Sequence, residues 1–155
     1  MTRIFRLILS LAIPLAIGAV AGMFTTDAIP GWYASLNQPA INPPNWVFGP
    51  VWTLLYILMG ISLFLIWSSS PSQQKNLALA IFFIQLLLNF LWSFLFFYFR
   101  VIGLALVEIV ILWLSIILMI YIFRKVKPVA AYLNVPYLLW VSFATVLNAS
   151  YFHLN

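Results

Sequence analysis

Five stretches of this chain run for about 20 residues or more with at most one charged side chain each, and nothing else in the sequence restricts the fold so strongly. They are Arg6–Thr25, Val47–Trp67, Leu77–Tyr98, Val101–Phe123 and Leu133–Phe152. A hydrocarbon core of ~30 Å is crossed by about 20 apolar residues in helical conformation, so each stretch is long enough to span. Backbone amides cannot go unpaired in lipid, which leaves helices and closed barrels as spanning structures. The segments lack the ~10-residue alternation of barrel strands, and runs such as 81–99 are apolar all round. The sequence therefore predicts an all-α integral membrane protein, five transmembrane helices forming a single domain over residues 1–155. Its 6% of charged residues, against ~25% in soluble domains, excludes an ordinary soluble fold. The net charge of +5 comes from cations at the ends of spans, so it is no signature of nucleic-acid binding.

The connections are short except for Thr25–Trp46, where Pro30, Gly31, Pro39, Pro43 and Pro44 rule out one regular helix. Trp32, Tyr33, Leu36 and Ile41 within it predict a packed lid over the bundle. With the N-terminus inside, the inner side receives Arg3, Arg6, Lys75, Arg124, Lys125 and Lys127, and the outer side only Arg100. The positive-inside rule then puts the N-terminus in the cytoplasm and the lid, the Arg100 turn and the C-terminus outside, in a multi-pass protein of a cell membrane. Arg3, Arg6, the apolar run and Ala19-Val20-Ala21 also fit a cleavable secretory signal, but the run is long enough to span and its removal would leave four helices.

Few residues could carry chemistry. Zero Cys and a single His, His153, leave no thiolate or His cluster, so no metal site and no conventional nucleophile–base pair is expected. Seven Trp and seven Tyr stand out instead. Trp32, Trp67, Tyr98, Tyr132 and Tyr151 fall near the expected interfaces, where aromatic belts explain them. Trp52, Trp92, Trp113 and Trp140 lie deeper, where an indole N–H needs a partner; they are either interhelical packing or the walls of a site for a large, flat apolar ligand. Glu108, the one acid within a span, is either protonated or hydrogen-bonded to Tyr, Trp or Asn. Gln85, Asn89 and Asn148 read as interhelical glue or as the polar groups that orient a ligand. Gly18-x-x-x-Gly22 permits close helix approach, within the bundle or between two chains.

Several ordered blocks resemble one family. These are Trp32-Tyr33-x-x-Leu36-x-x-Pro39, Pro43-Pro44-x-Trp46-x-x-Gly49-Pro50-Val51-Trp52-x-x-Leu55-Tyr56, Asn89-x-x-Trp92-x-x-x-Phe96-Phe97, Gly103-x-Ala105-x-Val107-Glu108, and Pro136-Tyr137-x-x-Trp140-x-x-Phe143-Ala144-Thr145-x-Leu147-Asn148. Across all five spans the chain resembles the translocator protein/tryptophan-rich sensory protein (TspO/MBR) family, once called peripheral-type benzodiazepine receptors. The resemblance implies a homodimer whose first loop caps an internal pocket for porphyrins, acting in tetrapyrrole sensing or transport with no required cofactor. It implies a ligand site of Trp32, Trp52, Tyr56, Asn89, Trp92, Trp140, Phe143, Ala144 and Leu147. An alternative it carries is light-dependent porphyrin breakdown, with Trp52 and Trp140 as candidate electron donors; a scaffold without a dedicated ligand is a third reading.

Two departures from the family pattern stand in the sequence. Ala40-Ile41-Asn42 precedes Pro43-Pro44 where many members carry a Trp, so the lid is expected to close differently. The fifth helix ends in Asn148-Ala149-Ser150-Tyr151-Phe152-His153, without the Arg that closes the cholesterol-recognition pattern of animal members, so cholesterol is not the ligand it points to. The same loose pattern arises at Leu118-x-x-Tyr121-x-x-Arg124.

Overall fold

A computed structural model describes all 155 residues, and every regular element in it is helical. The order is α1 (Arg3–Ala28), α2 (Asn45–Trp67), α3 (Gln73–Ser93), α4 (Ile102–Val126), a short α5 (Pro128–Tyr132) and α6 (Val135–Leu154). Five of these units, with their continuations, are long and apolar enough to cross a membrane. Thr2 and Ser72 start α1 and α3 by accepting the backbone N–H of Phe5 (3.2 Å) and Lys75 (3.0 Å) on their hydroxyls, which satisfies donors that a helix start leaves free.

The first connection is shorter than its prolines predict. α1 continues through a π-helical turn, Ile29–Tyr33, so the irregular chain begins only near Leu36. Pro30 sits at the start of that turn, where the wider π spacing absorbs a ring that an α-helical interior would reject. The third span likewise ends in a π turn, Phe94–Tyr98, and the chain then reverses at Arg100, whose φ of 60° is left-handed. The fifth span, read as Leu133–Phe152, is the unbroken α6, which starts and ends two residues later. The short α5 precedes it across Leu133-Asn134, and Asn134 fixes that junction by donating from Nδ2 to the Ser62 hydroxyl of α2 (2.7 Å) and to the Ala130 carbonyl of α5 (3.0 Å).

Lipid is as apolar as the side chains, so packing contacts and interhelical hydrogen bonds hold such a bundle rather than water exclusion. At the end that carries Arg3, Arg6, Lys75 and Lys127, Met59, Leu63, Ile66, Phe82, Met119 and Phe123 are almost wholly inaccessible. α1 and α2 approach so closely there that a Cβ on Gly60 would stand 2.8 Å from the Leu11 Cα and the Ser10 carbonyl. Gly18 is used inside the chain too: a side chain on it would run into the Tyr56 ring, while Gly22 faces open space.

Candidate functional site

The same helices part at the opposite end and enclose a cavity of about 520 Å³. Helical spacing explains its walls. Phe48, Trp52 and Tyr56 recur every fourth residue along one face of α2, and Trp140, Phe143, Ala144, Leu147 and Tyr151 follow one face of α6. Trp92, Phe96 and Phe97 come from the end of α3 and its π turn; Gly18, Gly22 and Thr25 come from α1.

The aromatic rings set the shape. Trp52 stacks on Tyr56 (5.6 Å between centroids, 27° between planes) and stands edge-on to Trp140 (6.4 Å, 89°). Phe48 and Phe143 flank Trp140 at 6.1 and 5.5 Å. The polar groups behind these rings are largely spent on each other. Trp92 donates its indole N–H to the Asn148 Oδ1 (3.0 Å), and Asn148 donates in turn to the Ile102 carbonyl (3.1 Å). Tyr56 donates to the Asn89 Oδ1 (2.6 Å), Asn89 donates to the Tyr137 hydroxyl (2.9 Å), and Tyr137 donates to the Gln85 Oε1 (2.7 Å). The Trp140 Nε1 is buried and has no hydrogen-bond partner.

Of the nine residues the resemblance implies, Trp52, Tyr56, Trp92, Trp140, Phe143, Ala144 and Leu147 line this cavity. Two stand elsewhere. Asn89 is 2% exposed behind Tyr56, where it fixes the ring rather than facing the cavity. Trp32 is not among the lining residues; it packs edge-on against Phe96 (5.6 Å), under the guanidinium of Arg100 at 5.8 Å. Tyr151, expected as an interfacial anchor, is buried and closes the roof by donating to the Tyr33 hydroxyl (2.8 Å), which donates to the Asn42 Oδ1 (2.9 Å). Its signal was present, since Tyr151 continues the Trp140–Leu147 face by one more helical turn.

Trp113 lies outside the cavity and joins α4 to α6 by donating to the Ser142 hydroxyl (2.7 Å). Glu108 is buried with both carboxyl oxygens unpartnered, so the hydrogen bond to Tyr, Trp or Asn that one reading called for is not made. No three of the His, Asp and Glu side chains gather as a metal site would need. What the arrangement can do is hold a flat, largely apolar molecule between rings.

The sequence pattern of the TspO/MBR family matches residues 10–154. The chain is 42% identical to the tryptophan-rich protein TspO of Archaeoglobus fulgidus over 99% of both chains. It is 38% identical to the tryptophan-rich sensory protein of Cereibacter sphaeroides over 80% of this chain and 77% of that one. To the human translocator protein it is 38% identical over 76% of this chain and 70% of that one. A match over nearly the whole length, on a bundle of five spanning helices, makes this chain a multi-pass membrane protein that belongs to the TspO/MBR family.

Proposed function

We propose that this protein binds tetrapyrroles, metal-free porphyrins above all, in the cavity at the loop end of the bundle, and that binding serves porphyrin sensing or transport across the membrane. The observation that carries the reading is the cavity itself, about 520 Å³, walled by Trp52 and Trp140, whose rings meet edge-on, with Trp92 and Phe143 among its other aromatic walls. Trp offers flat apolar area at low cost in side-chain entropy, and a macrocycle needs such walls more than it needs hydrogen bonds. The volume falls within the ~300–1,000 Å³ of small-molecule sites. The relatives' names, which say "translocator" and "sensory", agree with handling a ligand at the membrane.

A metal-free ring suits the site better than haem, because the sole His, His153, is exposed near the end of α6 and cannot serve as an axial ligand within the cavity. The propionates face the loop end, toward Arg100, the one cation there. In the cell the loop end faces outward and the N-terminus inward, following the distribution of cations; reporter fusions at both termini test this, and an outside N-terminus overturns it. The protein pairs as a homodimer through lipid-facing helix surfaces, which cross-linking in native lipid tests.

Titration of the purified protein with protoporphyrin IX, read by quenching of Trp emission, tests the binding. Trp52→Ala and Trp140→Ala each weaken it by about tenfold or more, the effect of losing one aromatic wall worth ~1–3 kcal/mol. Trp67→Ala, at the opposite end of α2, leaves it unchanged. Equal affinity in all three variants places the ligand elsewhere.

A further inference from the structure

The cavity has a closed roof and an open side. At the roof, the Asn37 backbone N–H donates to the Asn155 Oδ1 (2.9 Å), the Asn37 Nδ2 to the Leu154 carbonyl (3.2 Å), and the Asn155 Nδ2 back to the Asn37 carbonyl (3.1 Å). This clasp ties the loop to the end of α6. Beneath it the Tyr151–Tyr33–Asn42 chain of hydrogen bonds closes the space between the loop and the helices.

The side is different. Six cavity-lining residues are exposed, and all six belong to α1 or α2: Ala19, Thr26, Asn45, Trp46, Gly49 and Thr53. No lining residue of α3 or α6 is exposed. The gap between the two helices exists because its residues are small: a Cβ added to Gly22 or Gly49 would meet nothing within 4 Å. Two of its threonines are satisfied on their own helices, Thr53 donating its hydroxyl to the Gly49 carbonyl (2.8 Å) and Thr25 to the Ala21 carbonyl (3.2 Å), while the polar Thr26 and Asn45 stand at its loop end.

Its rims are Val20 and Met23 on α1 and Leu54 and Ile57 on α2, all exposed side chains of spanning helices. Along α1, Ala19 to Thr26 lie roughly 20–30 Å beyond Arg6 at 1.5 Å per residue, in the far half of a ~30 Å core. The opening therefore meets lipid, with exposed Trp46 at its loop-end edge.

We propose that the cavity is filled sideways from the membrane, its ligands being flat amphiphiles already dissolved in the leaflet on the loop side, and that they pass between α1 and α2 rather than through the polar loop. This rests on the binding reading above. The route also selects its ligand: a molecule that partitions poorly into lipid never reaches the gap, whatever its fit to the rings.

The chain has no native cysteine, so the two routes can be closed one at a time. Asn37→Cys with Asn155→Cys, joined by a short thiol cross-linker, locks the roof. Gly22→Leu with Gly49→Leu fills the gap with side chains, and the Ala pair at the same positions is the folded control with too little bulk to block. In lipid vesicles, stopped-flow quenching by protoporphyrin IX keeps its rate within twofold in the locked protein. In the Leu pair association and dissociation both slow by at least tenfold, because an obstructed path raises the barrier in both directions.

A second readout does not depend on porphyrin. Ala144→Cys, on the far wall, is modified by a bilayer-dissolved pyrenyl maleimide at least tenfold faster than by a charged thiosulfonate, each rate taken relative to a surface cysteine, and the Leu pair abolishes that preference. A locked roof that slows porphyrin tenfold, or Ala144→Cys labelling indifferent to the Leu pair, overturns lateral loading. Failure of porphyrin to bind at all removes the functional proposal, while the cysteine reporter still decides the route.

Discussion

The two ends of the bundle use the same kinds of residue for opposite purposes. At the cation-bearing end, α1 touches α2 backbone to backbone at Gly60, and Asn134 binds α5 and α6 to Ser62 with every bond buried. At the loop end, Gly22 and Gly49 have open space beside them, and large rings stand around a cavity. A glycine in a spanning helix thus brings helices together where its neighbour is another backbone, and leaves space open where nothing stands within 4 Å of it. Close packing concentrates at one end and open space at the other.

The sharpest way to break this contrast is to treat the two kinds of glycine alike. Gly60→Ala destabilises by about 1–3 kcal/mol or more, because the new methyl meets backbone atoms that cannot step aside. Gly22→Ala raises stability by about 0.5–1 kcal/mol through helix propensity alone. Thermal unfolding in one detergent compares them, and equal shifts would show that the two ends are packed alike.

Next in size is Asn134→Ala, which strips the α5–α6 junction of its two bonds and costs about 1–3 kcal/mol, read as a lowered Tm. Tyr56→Phe keeps the ring but leaves the Asn89 Oδ1 unpaired, and costs about 0.6–1.7 kcal/mol, the range of interhelical hydrogen bonds in membranes. Glu108→Gln changes Tm least among the buried positions, since no bond to the carboxyl is lost; a fall worth more than about 2 kcal/mol would reveal a partner for Glu108. The smallest effect is expected of Arg100→Gln at the exposed roof, a weakening of anionic porphyrin by about two- to fivefold that fades at high salt, as an exposed charge contact does.

Comparison of particular residues shows where reading the sequence succeeds. Val47–Trp67 anticipates α2 within two residues at its start and matches its end, because an uninterrupted apolar run has one way to satisfy its backbone in lipid. Thr25 as the end of the first span falls short by about eight residues, because Pro30 was weighed against an α-helix and the chain used a π turn. Trp32 and Asn89 share motif blocks with residues that line the cavity, yet Trp32 packs on Phe96 beneath Arg100 and Asn89 stays behind Tyr56. Gly18 and Gly22 signal only close helix approach, and Thr25 nothing beyond the end of a span, yet together they form one wall.

Length, hydropathy and the placement of seven cations were sufficient for five spanning helices and for which ends of them share a face, since these depend on each segment's own exchange with lipid and water. The cavity was not decided there. It exists because α1 and α2 meet tightly at Gly60 and lie apart at Gly22 and Gly49, and because Tyr33, Asn42 and Tyr151, distant in the chain, close one roof. Empty space between helices depends on which side chains fail to meet, and only the packed arrangement settles that.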